Sequence, residues 1–71
     1  MNTYFLSYAS IEALDFGIIE FDTYADAFDA YQVHKISGYD VVIRDIGFQS
    51  ELANEIRKGK DYQDRRTVVL A

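Results

Sequence analysis

The side chains of this chain that could do chemistry are mainly carboxylates, since its 71 residues include one histidine, His34, and no cysteine. A thiol nucleophile and a thiolate metal site are therefore excluded, and a Ser-His-Asp arrangement would have to use that single imidazole. Hard cations do bind carboxylates, but a calcium loop needs ligands at alternate positions and a closing glutamate, and the sequence lacks this pattern. The four glycines are isolated, so no glycine-rich loop could hold a phosphate. We predict that the protein is not an enzyme and holds no metal or cofactor.

Three of these carboxylates, Asp22, Asp26 and Asp29, cluster on a segment that predicts a helix over residues 24–36. Near a helix N-terminus a carboxylate gains about 0.3–1 kcal/mol from the helix dipole, which accounts for Asp22 and Asp26. Asp29 is different, because it stands three residues after Asp26 and repels it. Val33 occupies the position at which a lysine would offset that repulsion. Two interpretations stay open, a solvated polar face and a contact surface with an apolar centre.

Rings on the other side of this helix indicate how it is anchored. At 100° per residue, one stripe of the helix consists of Tyr24, Ala27, Phe28 and Tyr31. We expect this stripe to pack on a sheet while the aspartates face water. Thr23, or Asp22, can cap the first turn, and Ser37-Gly38 can end the helix, with Gly38 free to take a positive φ.

The remaining elements are predicted from apolar runs and turn residues. Strands are expected at TYFLSYA (3–9), GIIEFD (17–22), YDVVIRDI (39–46) and TVVLA (67–71). The first two strands are joined by a wide connection with room for one helical turn capped by Ser10, and they form a long-looped hairpin. ELANEIRKGK (51–60) indicates a shorter helix capped by Ser50, and DYQDRR (61–66) its extension or a loop.

Residues 1–71 are expected to form a single domain of the α+β class. The predicted order ββαβαβ gives a small, mainly antiparallel sheet, with one major amphipathic helix and a shorter second helix on one face. Without cysteine there is no disulfide. Since 49% of the residues are hydrophobic and 15% are aromatic, packing of large rings must stabilise the fold.

Charge is distributed unevenly over this chain, whose net charge is −5. Residues 1–45 hold eight acids and two bases, whereas residues 46–71 hold four acids and five bases. The acidic first part would repel phosphates and attract basic surfaces. The bases of the second part surround Tyr62 and are Arg57, Lys58, Lys60, Arg65 and Arg66. Such a cluster could bind a nucleic acid, but the acids among these bases favour a solvated helix end.

Nothing in the sequence predicts contact with a membrane. No segment approaches the roughly 20 apolar residues that a membrane span requires. The first residues, MNTYFLSYAS, lack the basic and apolar regions of an export signal. We therefore expect a cytoplasmic protein without a membrane partner.

Residues 4–35 resemble the N-terminal domain of the ArdA antirestriction proteins of plasmids and transposons. The matching positions lie in two strands and in an acidic, aromatic helix that ends near a His-Lys step, and they are Tyr8-Ala9, Gly17, Asp22, Tyr24, Asp26, Phe28 and His34-Lys35. The architecture is also similar to that of short phage proteins that inhibit host machinery, including anti-CRISPR proteins. These resemblances imply that the acidic surface imitates nucleic-acid phosphates and occupies a basic groove on a DNA- or RNA-handling enzyme.

We therefore predict a small inhibitor of the phage or mobile-element type, which binds a basic nucleic-acid-handling protein of its host and does not bind nucleic acid directly. The predicted partner-binding residues are Glu20, Asp22, Asp26, Asp29, Tyr31 and Val33. Two alternatives remain. One is a self-assembling structural protein that forms a homodimer through the edge of its last strand. The other is a nucleic-acid binder that uses the C-terminal basic cluster.

Overall fold

A computed structural model describes residues 1–67 of the chain as one sheet with two helices. In chain order the elements are β1 (Asn2–Ser10), β2 (Asp15–Phe21), α1 (Tyr24–Ile36), β3 (Asp40–Gly47), α2 (Glu51–Arg57) and β4 (Tyr62–Asp64). The strands lie in the order β3-β1-β2-β4. β1 is antiparallel to both of its neighbours, whereas β4 runs parallel to β2. The predicted α+β class with a mainly antiparallel sheet is confirmed.

The hairpin of β1 and β2 closes through a four-residue turn at residues 11–14, so the wide connection that we predicted is wrong and β2 begins at Asp15, two residues before the predicted start. The Ser10 hydroxyl accepts a hydrogen bond of 3.1 Å from the amide of Ala13, so the predicted cap is present. Leu14 completes the turn in the left-handed conformation, with φ of 52°. Gly17 pairs with Tyr8, and a β-carbon at position 17 would lie 2.5 Å from the Tyr8 hydroxyl oxygen. The tyrosine ring therefore lies directly over Gly17, where any residue with a β-carbon would clash with it.

Helix α1 begins and ends at the predicted residues. The Thr23 hydroxyl accepts a hydrogen bond of 3.2 Å from the amide of Asp26, which identifies Thr23 as the N-cap. At the other end Gly38 has a φ of +90°, as its lack of a β-carbon allows. The amide of Gly38 donates to the Lys35 carbonyl at 3.1 Å, so local hydrogen bonds define both ends of the helix.

The face that α1 turns to the sheet differs from the prediction. Ala27 is fully buried, and Ala30 and Tyr31 pack beside it. Tyr24 and Phe28, which we expected in the core, are 53% and 39% exposed. The two alanines let the helix backbone approach the sheet closely, and the larger rings are displaced to its flank. The core on this face consists of Leu6, Ile19, Phe21 and Ala27, with Tyr4, Tyr8, Ala30, Tyr31, Val41 and Ile43 packed around it.

The second face of the sheet, opposite α1, is contacted by α2. Phe5 alternates along β1 with Leu6, so it points away from α1. The guanidinium of Arg57, at the end of α2, lies 5.8 Å from the centre of the Phe5 ring. The expectation that both helices cover one face is therefore wrong. The predicted cap of α2 is confirmed, because the Ser50 hydroxyl accepts a hydrogen bond of 3.1 Å from the amide of Ala53.

The short strand β4 lies in the segment that we predicted to be a loop or an extension of α2. It pairs Ile18 with Tyr62 and Glu20 with Asp64, and the amide of Arg65 donates to the Glu20 carbonyl at 2.9 Å. Most of the strand predicted at 67–71 lies outside the described residues, and Thr67 does not belong to a strand. No helix within residues 1–67 is long and apolar enough to cross a membrane.

Candidate protein-binding groove

A groove of about 440 Å³ runs between α1 and the β2–β4 side of the sheet, and we call it the α1 groove. Its lining residues are Ile19, Phe21, Asp26, Asp29, Ala30, Val33, His34, Arg65 and Thr67. The residues from α1 are spaced three or four apart, which places them on one stripe of the helix. Carboxylates thus border a groove whose sheet side carries apolar residues, an arrangement suited to a cation on an aliphatic stem.

Asp26 and Asp29 are the predicted acidic residues that the groove brings together. Asp29 is exposed and Asp26 is partly exposed. Among residues 1–67 neither carboxylate takes part in an ion pair, since the salt bridges there involve Glu20, Glu55 and Asp64. The two negative charges are therefore accessible to an external cation.

Asp22 is held within the fold rather than displayed beside Asp26. It is partly buried, and the Thr67 hydroxyl donates to its Oδ2 at 2.6 Å. This hydrogen bond ties the segment after β4 to the residue that precedes the N-cap of α1. Asp22 does not itself line the groove but accepts a hydrogen bond from Thr67, which does, and its predicted role as an exposed contact has no support in the geometry.

The prediction that Glu20 contacts a partner is wrong, because Glu20 has no exposed surface. Its carboxylate accepts two hydrogen bonds from Arg57, from Nε at 2.9 Å and from Nη2 at 2.7 Å. The hydroxyls of Thr3 and Tyr62 donate to the same carboxylate at 2.6 and 2.7 Å. We call these four residues the Glu20 cluster. It lies on the sheet face opposite α1, so Glu20 cannot belong to a surface formed by that helix.

The Glu20 cluster also sets the protonation of its members. Burial raises the pKa of Glu20, but the hydrogen bonds from Arg57, Thr3 and Tyr62 outweigh burial and leave that pKa below its ordinary value. Burial, with the hydrogen bond to Glu20, raises the pKa of Tyr62 to about 12. The cluster therefore holds a carboxylate anion and a neutral phenol at ordinary pH.

The two predicted apolar contacts, Tyr31 and Val33, lie on different sides of α1, and only Val33 lines the groove. Val33 is 63% exposed, as predicted, and it borders the groove. Tyr31 is half-buried, does not line the groove, and stacks on Phe28 with 5.9 Å between ring centres. Phe28 stacks in turn on Tyr24, also at 5.9 Å, so an aromatic ridge runs along the flank of the helix. The i, i+4 and i, i+3 spacing of these rings was the sequence signal for the ridge, although it did not reveal that the ridge is exposed.

Three of the five bases in the C-terminal basic cluster form ion pairs with acids of the same chain. Arg57 binds Glu20, and Arg66 pairs with Asp64 through Nη2 at 2.7 Å. Both guanidinium groups lie over the Phe48 ring, at 4.5 and 5.2 Å from its centre. Lys58 pairs with Glu55 at 3.2 Å on the surface. These pairings reduce the positive charge that the cluster could offer to a nucleic acid.

His34 lies at the inner side of the groove in an aromatic setting. Its Nδ1 is 2.8 Å from the Ala30 carbonyl oxygen. Its ring centre is 4.7 Å from that of Tyr8 and 5.5 Å from that of Tyr39. These contacts give the imidazole a packing role. Within residues 1–67 no three His, Asp or Glu side chains are grouped so that they could hold a metal ion.

Comparison with protein families, with curated proteins and with solved structures gives no match for this chain. The resemblance of residues 4–35 to ArdA, and that of the architecture to small phage inhibitors, therefore stay predictions.

Proposed function

We propose that this protein is a small cytoplasmic inhibitor of the phage or mobile-element type, which binds a basic nucleic-acid-handling host protein through the α1 groove. The observation that carries the proposal is the stripe of α1 that sets Asp26 and Asp29 beside the apolar residues Ile19 and Phe21. Those two carboxylates replace the larger acidic array predicted from the sequence.

The chemistry of the groove favours a lysine or arginine side chain as its occupant. The methylene groups of such a side chain would lie against Ile19, Phe21 and Val33, while its charged end would reach Asp26 or Asp29. Arg65 also lines the groove, but none of the salt bridges among residues 1–67 links it to Asp26 or Asp29, so a partner residue can reach both carboxylates. We therefore expect the interaction to depend on salt and to form quickly, as steered encounters do.

The net charge of −5 supports a basic partner over a nucleic acid. Phosphates would be repelled by the exposed acids, and the arginines that could offset this repulsion are partly used by the Glu20 cluster and by Asp64. The aromatic ridge offers further contact area, because Tyr and Phe lose little side-chain entropy when they are covered. The ArdA resemblance favours a restriction enzyme as the partner, and the similarity to anti-CRISPR proteins favours a CRISPR enzyme.

A double substitution in the groove tests the proposal. Asp26→Asn/Asp29→Asn keeps the shape of the side chains and removes both charges. We expect it to weaken binding of a fluorescent peptide rich in lysine and arginine by about tenfold, measured by anisotropy at low salt. The control is Glu12→Gln/Glu51→Gln, which removes the same charge from exposed positions outside the groove.

The control variant should bind the peptide nearly as well as the unmodified protein. An equal loss in both double variants would mean that only net charge matters, and an unchanged groove variant would exclude α1 as the interface. The same three proteins, used as bait in a bacterial lysate, should capture a nucleic-acid-handling protein with the same order of recovery.

A further inference from the structure

We infer that β3 is the site at which two copies of this protein associate, by antiparallel pairing of their β3 strands. β3 lies at one end of the sheet order β3-β1-β2-β4 and is hydrogen-bonded to β1 on one side only. None of the described residues pairs with its other side. An eight-residue edge with open backbone donors and acceptors is a ready template for another strand.

The charges of β3 match those of a second copy in one register. Asp40 and Arg44 lie four residues apart, on the same face of the strand, with Val42 midway between them. When Val42 faces Val42 of the second copy, each Asp40 lies opposite the Arg44 of the other strand. Two opposite-charge pairs then form across the symmetric junction.

Other registers that keep the faces of the two sheets aligned are poorer. A shift by two residues places Val42 opposite Arg44 and Asp40 opposite Ile46, so both charges lose their partners. A shift by four residues sets Arg44 against Arg44, where the like charges repel. The charge pattern of β3 therefore selects the register centred on Val42.

The surroundings of these side chains support the same interface. Asp40 and Arg44 are both exposed, and neither takes part in an ion pair among residues 1–67. Val42 is 56% exposed, so a second copy would cover apolar surface at the centre of the contact. Charged side chains on an edge strand commonly prevent association, but here their signs complement each other across the two-fold axis.

This interface does not depend on the proposed function. The α1 groove is lined by residues of β2 and by Arg65, which follows β4, and these lie towards the edge of the sheet opposite β3. In antiparallel edge pairing the two-fold axis is perpendicular to the sheet. Both α1 helices would therefore lie on the same side of the resulting eight-stranded sheet.

Charge reversal tests the register. The unmodified protein should show concentration-dependent dimerisation in sedimentation velocity experiments. Asp40→Arg alone and Arg44→Asp alone place like charges opposite each other, so each should weaken dimerisation by about tenfold or more. The double variant Asp40→Arg/Arg44→Asp restores opposite charges and should recover dimerisation. Glu12→Arg, which changes the net charge as Asp40→Arg does but lies in the β1–β2 turn, should dimerise like the unmodified protein.

Circular dichroism of each variant establishes that it is folded before its association is measured. A monomeric unmodified protein over the whole concentration series would overturn the inference. A double variant that stays as weak as the single variants would overturn it as well, since another register or surface would then be responsible for the dimer.

Discussion

The carboxylate of Glu20 accepts four hydrogen bonds in a place that water does not reach. Two come from one guanidinium in the bidentate geometry that arginine favours, and two come from hydroxyls on either side. A buried charge is tolerated only when its partners replace the water that it loses. The Glu20 cluster meets that condition, and it joins β1, β2, α2 and β4 at one point.

Replacing Glu20 by Gln should destabilise the fold strongly. The amide cannot accept both guanidinium hydrogen bonds, and Arg57, whose side chain is only 20% exposed, would keep an uncompensated charge. We expect a loss of about 3 kcal/mol in the free energy of unfolding, at the lower end for broken buried pairs because Arg57 retains some contact with water. The measurement is urea denaturation followed by circular dichroism.

The matched control for this substitution is Glu55→Gln, which breaks the surface pair with Lys58. Both side chains of that pair are about 70% exposed, so solvent screens the charges and the urea midpoint should hardly move. Equal midpoints for the two variants would contradict a stabilising role for the Glu20 cluster.

The elements show which local signals were sufficient and which were not. The bounds of α1 and the caps Thr23 and Ser50 follow from hydrogen bonds between residues three apart, so a short stretch of sequence specifies them. The short strand β4 was missed because its pairing with β2 joins residues more than forty positions apart. No local pattern records a parallel contact of that kind.

The candidate site was predictable to a similar degree. Helical spacing correctly placed Asp26, Asp29 and Val33 on one side of α1. It could not give the rotation of the helix about its axis, which depends on how closely Ala27 and Ala30 approach the sheet. Glu20 alternates along β2 with Ile19 and Phe21, so the strand pattern predicts only that it points to the opposite face, and its partner there, Arg57, is 37 residues away.

Substitution of Gly17 by Ala should disturb the β1–β2 hairpin. The added β-carbon would lie 2.5 Å from the Tyr8 hydroxyl oxygen and 2.8 Å from the adjacent ring carbon. Tyr8 cannot move freely, since its ring packs against His34 and Tyr39. We expect a loss of about 1–3 kcal/mol in unfolding free energy, as for other overpacked sites. Thermal unfolding followed by circular dichroism measures it.

Gly47→Ala is the control for that prediction, because a β-carbon at position 47 would meet its nearest neighbour at an ordinary 3.7 Å. Its melting temperature should stay closer to that of the unmodified protein. A Gly17→Ala variant that melts no lower than Gly47→Ala would show that Tyr8 relaxes without cost.

At the scale of the whole molecule, the polar groups predict how stability depends on acid. The hydrogen bonds to Glu20 overcome the effect of burial and lower its pKa from the ordinary 4.5, and the hydrogen bond from Arg66 holds the pKa of Asp64 at about 2. The unfolded chain therefore binds more protons than the folded protein in this range. The stabilisation is fully present above about pH 4.5 and is lost as the pH falls towards 2.

Urea midpoints measured across this acidic range should therefore decrease as the pH falls. In Glu20→Gln the decrease should be smaller, because one of the two groups with a lowered pKa is absent. Parallel curves for the variant and the unmodified protein would show that acid acts through other groups.

The edge of β3, with which none of residues 1–67 pairs, has a further consequence for the proposed binding of a basic partner. If two sheets join there and the α1 groove binds a partner as proposed, each pair of molecules would present two identical grooves on the same side of the sheet. Occupation of the first groove would then raise the effective concentration of the second, and modest single contacts would combine through avidity. Two copies of a 71-residue protein would in this way bind a basic surface that is longer than one copy can cover.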